Sequence, residues 1–473
     1  MRLGGRAAII VSAAALTAGL AGLAGLSAPA VAGTAAAPAA AQATVLIHPD
    51  VQRAEHASKA PLTTAECEAQ FHVACYEPAQ IQQAYNLPAL YAKGVNGKGA
   101  TIVIVDSFGS PTIANDLATF DGQFGLPAPP SFKIIQPAGA VPPFDPANGT
   151  MLSWAGETTL DVEYAHTIAP GASIVLVETP VAETEGVTGF PQIIQAEKFV
   201  IDHHIGDVIS QSFSATEQTF SSKASVDALR GAYVDAEQHH ITVLAAAGDN
   251  GAANVGLDGS TFFNLPTTTW PPSDPLVTAI GGTQLHLDAN GSHTSPDTVW
   301  NDTFNVPTQQ FIFGNKGPNP LAGGGGKSVL FSRPSYQYLV RGVVGDARGV
   351  PDISMSAACN GAVDVYQSFP GIAAGWYPTC GTSEATPLFA GIVALADQVA
   401  HHSLGLINPA LYLMSALHLP GLVDVTSGNN TVSFSQGGQQ HTVQGFNARP
   451  GYDLASGLGT VNGALFVPEL AAL

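Results

Sequence analysis

The sequence predicts an α/β fold around a mostly parallel sheet, and two observations predict it. Short runs rich in Val, Ile and Ala recur along the chain, at 101–106, 208–213 and 241–247 among others. Between them lie stretches of about ten to fifteen residues with apolar positions at helical spacing. Such alternation marks strand–helix–strand units. The chain has no internal repeat of the length that builds solenoids or propellers.

In order, Arg2 and Arg6 precede a small-residue apolar run from Ala7 to about Leu26. Ala30-Val31-Ala32 and Ala41-Gln42-Ala43 offer small-x-small cleavage sites. Residues 1–32 therefore read as a signal peptide, and the protein is expected to be secreted. A membrane anchor is the weaker reading, because the run is Ala/Gly-rich and no stop-transfer charges flank it. Residues 33–74 read as a flexible leader or short pro-segment, and 75–465 as the main domain. Within it, helices are expected over Pro78–Tyr91, Ile113–Phe120, Thr158–Ile168, Phe190–His203 and Ser225–His239. Strands are expected at 99–106, Ser173–Glu178, Val208–Phe213, Ile241–Ala247 and from Pro275 to Ile280. Residues 136–150 read as loop, and 284–330 as a polar, Gly-rich excursion ending in Gly323–Gly326.

Thirty-six acids face sixteen Lys and Arg, a formal net charge of -20. That balance argues against nucleic acid or an anionic membrane as partner of the mature chain. It suits acid, where carboxylates lose charge and self-repulsion eases. The four cysteines form two sequence-local sets, Cys67 with Cys75 and Cys359 with Cys380. In an exported chain an even count favours two disulfides over free buried thiols. No C-x-x-C occurs, which disfavours a zinc ribbon or a dithiol redox centre.

The chemistry centres on Cys380-Gly381-Thr382-Ser383-Glu384-Ala385-Thr386-Pro387. A glycine-led turn presents one hydroxyl just before an apolar helical run, the usual display of a nucleophilic serine. Serine needs a base, and the scattered histidines form no partner motif. Acids are better placed. Glu157 and Asp161, four residues apart, fall on one face of a helix, one turn from each other. A carboxyl pair can hold one proton and push its pKa values apart, although a solvated acidic helix start would look the same. Asp249, in Gly248-Asp249-Asn250-Gly251, follows a strand without charge. It is either a turn-former or a protonated donor to an oxyanion.

Taken together and in order, these segments resemble the sedolisins, serine-carboxyl peptidases with a subtilisin-like fold. Gly381-Thr382-Ser383 with Pro387 is similar to their serine signature, and the Glu157/Asp161 helix to their acid helix. Ala247–Gly251 is similar to the segment of their oxyanion aspartate. Val277–Thr283, Pro334–Gln337 and Val350–Ser354 add further landmarks, so the likeness spans about 75–465. The resemblance implies a three-layer fold and a peptidase acting on polypeptides in acid. Ser383 would be nucleophile, Glu157 the base, Asp161 its partner and Asp249 the oxyanion donor. It further implies one Ca²⁺, held by the carboxylates of Asp424 and Asp453 and the carbonyls of Val425, Arg449 and Gly451. A monomer is expected.

Four departures stand out. Cys380 replaces a small residue, and Arg449 stands where the family has Gly; if Cys380 pairs with Cys359, the bridge braces the approach to Ser383. Only about 40 residues separate the signal peptide from the family-like start, where relatives carry a long pro-domain. Ser212-Phe213-Ser214 replaces a Ser-Tyr/Trp-Gly pattern. The rival readings are a conventional subtilase using Asp106, an inactive binding or structural protein, and an esterase using the same serine. Endopeptidase action is expected ahead of tripeptidyl-peptidase action.

Overall fold

The computed structural model describes residues 52–54 and 57–473, so the expected signal peptide and cleavage sites lie outside the described residues. Twelve strands build its two largest sheets. They are β1 (Gln52–Arg53), β2 (Cys75–Tyr76), β3 (Thr101–Ser107), β4 (Phe132–Ile135), β5 (Ser173–Thr179) and β6 (Val208–Gln211). Then come β7 (Thr242–Ala246), β8 (Thr278–Gln284), β9 (Thr298–Val299), β10 (Ile353–Ser356), β11 (Ala362–Gln367) and β12 (Gly375–Cys380). The eight-stranded central sheet runs β9-β8-β7-β6-β3-β5-β4, with β10 also paired to β8. Its pairings are parallel apart from β8–β9. A four-stranded sheet, β1-β12-β11-β2, stands beside it.

Parallel strands buried on both faces need apolar residues at successive positions, and β3 carries Ile102-Val103-Ile104-Val105, all 0% exposed. Ile102, Ile104, Ile174, Leu176, Val208 and Leu244 join one core with helices Gly149–Ile168 and Thr382–Ala400. Val103, Val105, Val175, Val177, Ile209 and Val243 join the other with helices Phe190–Asp202 and Gly231–Gln238. Helix, sheet and helix thus form three layers. The two helices of the first face cross closely: a Cβ on Gly391 would lie 2.5 Å from Cβ of Ile168.

The central sheet grows both ways from β3, towards β5 and β4 on one side and β6, β7 and β8 on the other. Crevices at the carboxyl ends of strands about such a switch point are where ligands bind. Asp106, Ser212 and Asp249 all sit at or just beyond such ends.

Several boundaries differ from expectation. The acid-bearing helix begins at Gly149, not Thr158, and ends the expected 136–150 loop early. Asn148 starts it by accepting hydrogen bonds from the N–H groups of Thr150 (3.0 Å) and Met151 (3.2 Å). Pro78–Tyr91 divides into Pro78–Ala84 and Pro88–Tyr91 around Asn86, which has φ 56°. Ser225–His239 divides into Lys223–Asp227 and Gly231–Gln238. The strand from Pro275 starts only at Thr278, and the 284–330 excursion holds a helix, Val306–Phe313.

Inside 33–74, the expected leader, the described residues are folded onto the domain. They form β1 and a capped helix, Thr64–Phe71. Cys67 is bonded to Cys75 and Cys359 to Cys380. Among the described residues, no helix is long and apolar enough to cross a membrane.

Candidate active site

The serine turn follows from one glycine. Gly381 has φ 131°, a conformation that side chains disfavour, and helix Thr382–Ala400 begins at the next residue. A Cβ at 381 would also lie 2.4 Å from Oδ2 of Asp249. Glycine thus permits both the bend and the approach of that carboxyl. Ser383, the second residue of the helix, is 2% exposed.

Asp249 is fixed from the nucleophile side. Its Oδ1 accepts hydrogen bonds from the N–H and the hydroxyl of Thr382, both at 2.7 Å. The Gly248 N–H donates to Oγ1 of Thr382 at 3.1 Å. The β7 end and the serine turn are therefore laced together through one threonine.

Asp161 is tied in through Ser212, just past β6. The Ser212 hydroxyl donates to Oδ1 of Asp161 at 2.9 Å and lies 3.5 Å from the carbonyl oxygen of Ser383. Glu157 and Asp161 are both 0% exposed. Burial pushes the Asp161 carboxyl well above the usual range; the negative charges of Asp106 and then Glu157 push the same way, and the Ser212 bond opposes them. Asp106, at the end of β3, is raised to about 7, by burial first, while its contact with Thr158 lowers it. The Asp106 and Asp161 carboxyls each act on the other's proton affinity.

Glu384 was not singled out in the sequence. It is fully buried, and burial followed by the charge of Asp249 raises its carboxyl well above the usual range. Position gave the only available signal: it directly follows the serine. His166 is fully buried but engaged elsewhere, with Nε2 2.7 Å from the Pro127 carbonyl oxygen and 3.4 Å from Asp121.

The five residues expected around calcium lie in two adjoining loops. The Gly451 N–H donates to Oδ2 of Asp424 at 2.8 Å, and the Arg449 N–H to Oδ2 of Asp453 at 3.0 Å. Gly451 has φ 77°, whereas Arg449 is outside the positive-φ region, so a side chain there costs no backbone strain. Val425 is buried and Asp424 exposed. Among the described residues no cluster of three or more His, Cys, Asp or Glu side chains could hold a metal. The expected donors, two carboxylates and backbone carbonyls, are hard oxygen ligands of the kind that fits Ca²⁺.

Comparison with known proteins agrees with the fold. The solved structure of Pseudomonas sedolisin, a serine-carboxyl proteinase complexed with two molecules of pseudo-iodotyrostatin, superposes with a TM-score of 0.63 at 26% identity, covering 85% of this chain and 98% of that one. Kumamolisin from Bacillus sp. (strain MN-32) is 30% identical over 403 residues, which is 84% of this chain and 63% of the relative. A sequence model of the subtilase family matches residues 148–438. The chain belongs to the subtilase family, in its sedolisin branch. Human tripeptidyl-peptidase 1 is 27% identical over 321 residues, 65% of this chain and 50% of that protein. This sedolisin-branch chain thus spans between half and two thirds of the length of those two relatives.

Proposed function

We propose that this chain is an acid-acting serine peptidase, cutting within polypeptides through Ser383, Glu157, Asp161 and Asp249. The convergence of sequence-remote groups on one turn supports it most: Asp249 binds Thr382, and Ser212 links Asp161 to Ser383. In the mechanism, Glu157 takes the Ser383 hydroxyl proton as Oγ bonds to the scissile carbonyl carbon. Asp249, protonated, donates to the oxyanion of the tetrahedral intermediate. The C–N bond then breaks, and Glu157 returns its proton to the leaving amine. Water repeats the sequence on the acyl-enzyme and frees the acid. Asp161 orients Glu157 and tunes its basicity.

A carboxylate base works where imidazole would already be protonated, and a protonated Asp persists only in acid. The optimum should therefore be acidic. Digestion of a peptide library from about pH 2 to 8, read by mass spectrometry, tests this. A maximum near pH 8 would contradict a Glu base. Likeness to tripeptidyl-peptidase 1 favours a second reading, release of tripeptides from free N-termini, and the same digest separates the two. One Ca²⁺ would be held by Asp424, Asp453 and the carbonyls of Val425, Arg449 and Gly451, fastening the two loops. Secretion in monomeric form completes the proposal.

A further inference from the structure

β12 ends at Cys380, three residues before Ser383. One edge of this strand pairs with β11, and β1 covers the other. Gln52 pairs with Cys380 and Arg53 with Thr379, antiparallel, and the Ala54 N–H donates to the Pro378 carbonyl at 2.9 Å. A strand edge of this kind is a standard receptor for an extended peptide, by strand addition. Direction then decides which part of a substrate it takes. β12 runs towards Ser383, so an antiparallel partner runs away from it. A peptide in the place of β1 has its N-terminal end nearest the serine, and the stretch along β12 leaves with the amine.

The side chain of Arg53 has a built seat. Nη1 donates to Oε1 of Gln367 at 2.5 Å. The guanidinium carbon lies 5.0 Å from the ring centre of Tyr377 and 5.9 Å from that of Phe369. Gln367 and Phe369 are fully buried, and the Tyr377 hydroxyl is anchored to the Ala373 carbonyl at 2.7 Å. The seat adjoins the acid helix: a Cβ on Gly156, the residue before Glu157, would lie 4.0 Å from Nη1 of Arg53. Two aromatic faces and an amide oxygen suit a planar, weakly hydrated guanidinium better than an ammonium.

We propose that Gln367, Phe369 and Tyr377 form a subsite for an arginine side chain on the leaving-group side of the cleaved bond, and that Arg53 of the chain itself occupies it. The assignment rests on the reading of Ser383 as nucleophile. With strand rise near 3.3 Å per residue, the seat takes about the second or third residue after the cut. Arg53 is then an internal competitor of substrate.

The test is equilibrium binding at pH 4 to full-length chains carrying Ser383→Ala, alone or with Arg53→Ala. The probes are fluorescein-labelled octapeptides in which arginine, or isosteric uncharged citrulline, is walked along the sequence. With Arg53→Ala, arginine at one position should bind about ten-fold tighter than citrulline. Native Arg53 should erase most of that advantage. Tyr377→Leu, added to the double variant, should remove it, and calorimetric melts confirm that each variant is folded. Equal binding of arginine and citrulline peptides at every position overturns the subsite. Wild-type turnover reports separately. Discrimination by the variants beside a wild type inactive at every pH would cost the peptidase reading and leave an arginine-binding groove. An active wild type indifferent to arginine removes the subsite alone.

Discussion

Arg348 and Asp352 are as deeply buried as Glu157 and Asp161, yet they carry their neutralisation with them. Nη1 of Arg348 donates to Oδ1 of Asp352 at 2.7 Å. The Tyr412 hydroxyl (2.9 Å) and the Ala279 N–H (2.9 Å) complete the carboxylate's partners. Around Asp161 the close neighbours that shift its carboxyl are two more carboxyls and a serine hydroxyl. A buried charge needs a partner or a proton. The first region offsets its carboxylate with a guanidinium; in the second, burial and two neighbouring carboxyls push Asp161 towards holding a proton.

The sharpest break between the regions is functional. Ser383→Ala should lower peptide turnover about a million-fold while leaving the calorimetric melt nearly unchanged. Arg348→Met should do the reverse. It strands Asp352 without its cation and should cost about 3–5 kcal/mol of stability in urea unfolding, with the pH optimum of the remaining folded enzyme unmoved. A mild effect would mean that Tyr412 and the Ala279 N–H suffice for Asp352.

Proton-holding acids make a thermodynamic prediction too. Asp106 and Asp121 are pushed up to about 7 and Asp397 to about 8, by burial first in each case. In the unfolded chain aspartates ionise near 4. Between those values the folded state binds more protons than the unfolded one. Their contribution is therefore full below pH about 4 and is lost as pH rises towards about 8. Tm should be higher at pH 4 than at pH 8, and the opposite order would contradict the raised carboxyls.

Asp106→Asn sharpens the site alone. It removes the neighbouring charge that, after burial, raises Asp161 most, so the acid limb of the pH–rate profile should move down by about one unit. Complete loss of turnover would instead favour the conventional subtilase mechanism. The smallest effect is expected from calcium: chelation should lower Tm by a few degrees, roughly 1 kcal/mol, without altering the pH optimum. An unchanged Tm would count against the two-loop site.

What the sequence revealed was local chemistry. Gly381 before Ser383, and Gly248-Asp249 after a strand without charge, announce their turns because only nearby residues set them. The start of the acid helix was hidden for the opposite reason. From Trp154 to Ile168 every residue is buried, so no polar face marks a helical period. Its cap, Asn148, lay inside a stretch that reads as loop. Asp106 was visible only as a rival nucleophile partner, since its influence on Asp161 comes from the packing of that helix on the sheet. β1 is two residues long, too short for any periodicity, and its meaning comes only from the strand it joins.

The Cys359–Cys380 bridge has one more consequence. Cys359 closely follows β10 of the central sheet, and Cys380 ends β12 of the smaller one. The bend carrying the nucleophile is thus riveted to both sheets at once. If the sheets slide, the hydroxyl travels with the rivet, so reduction should loosen its aim before it unfolds the protein.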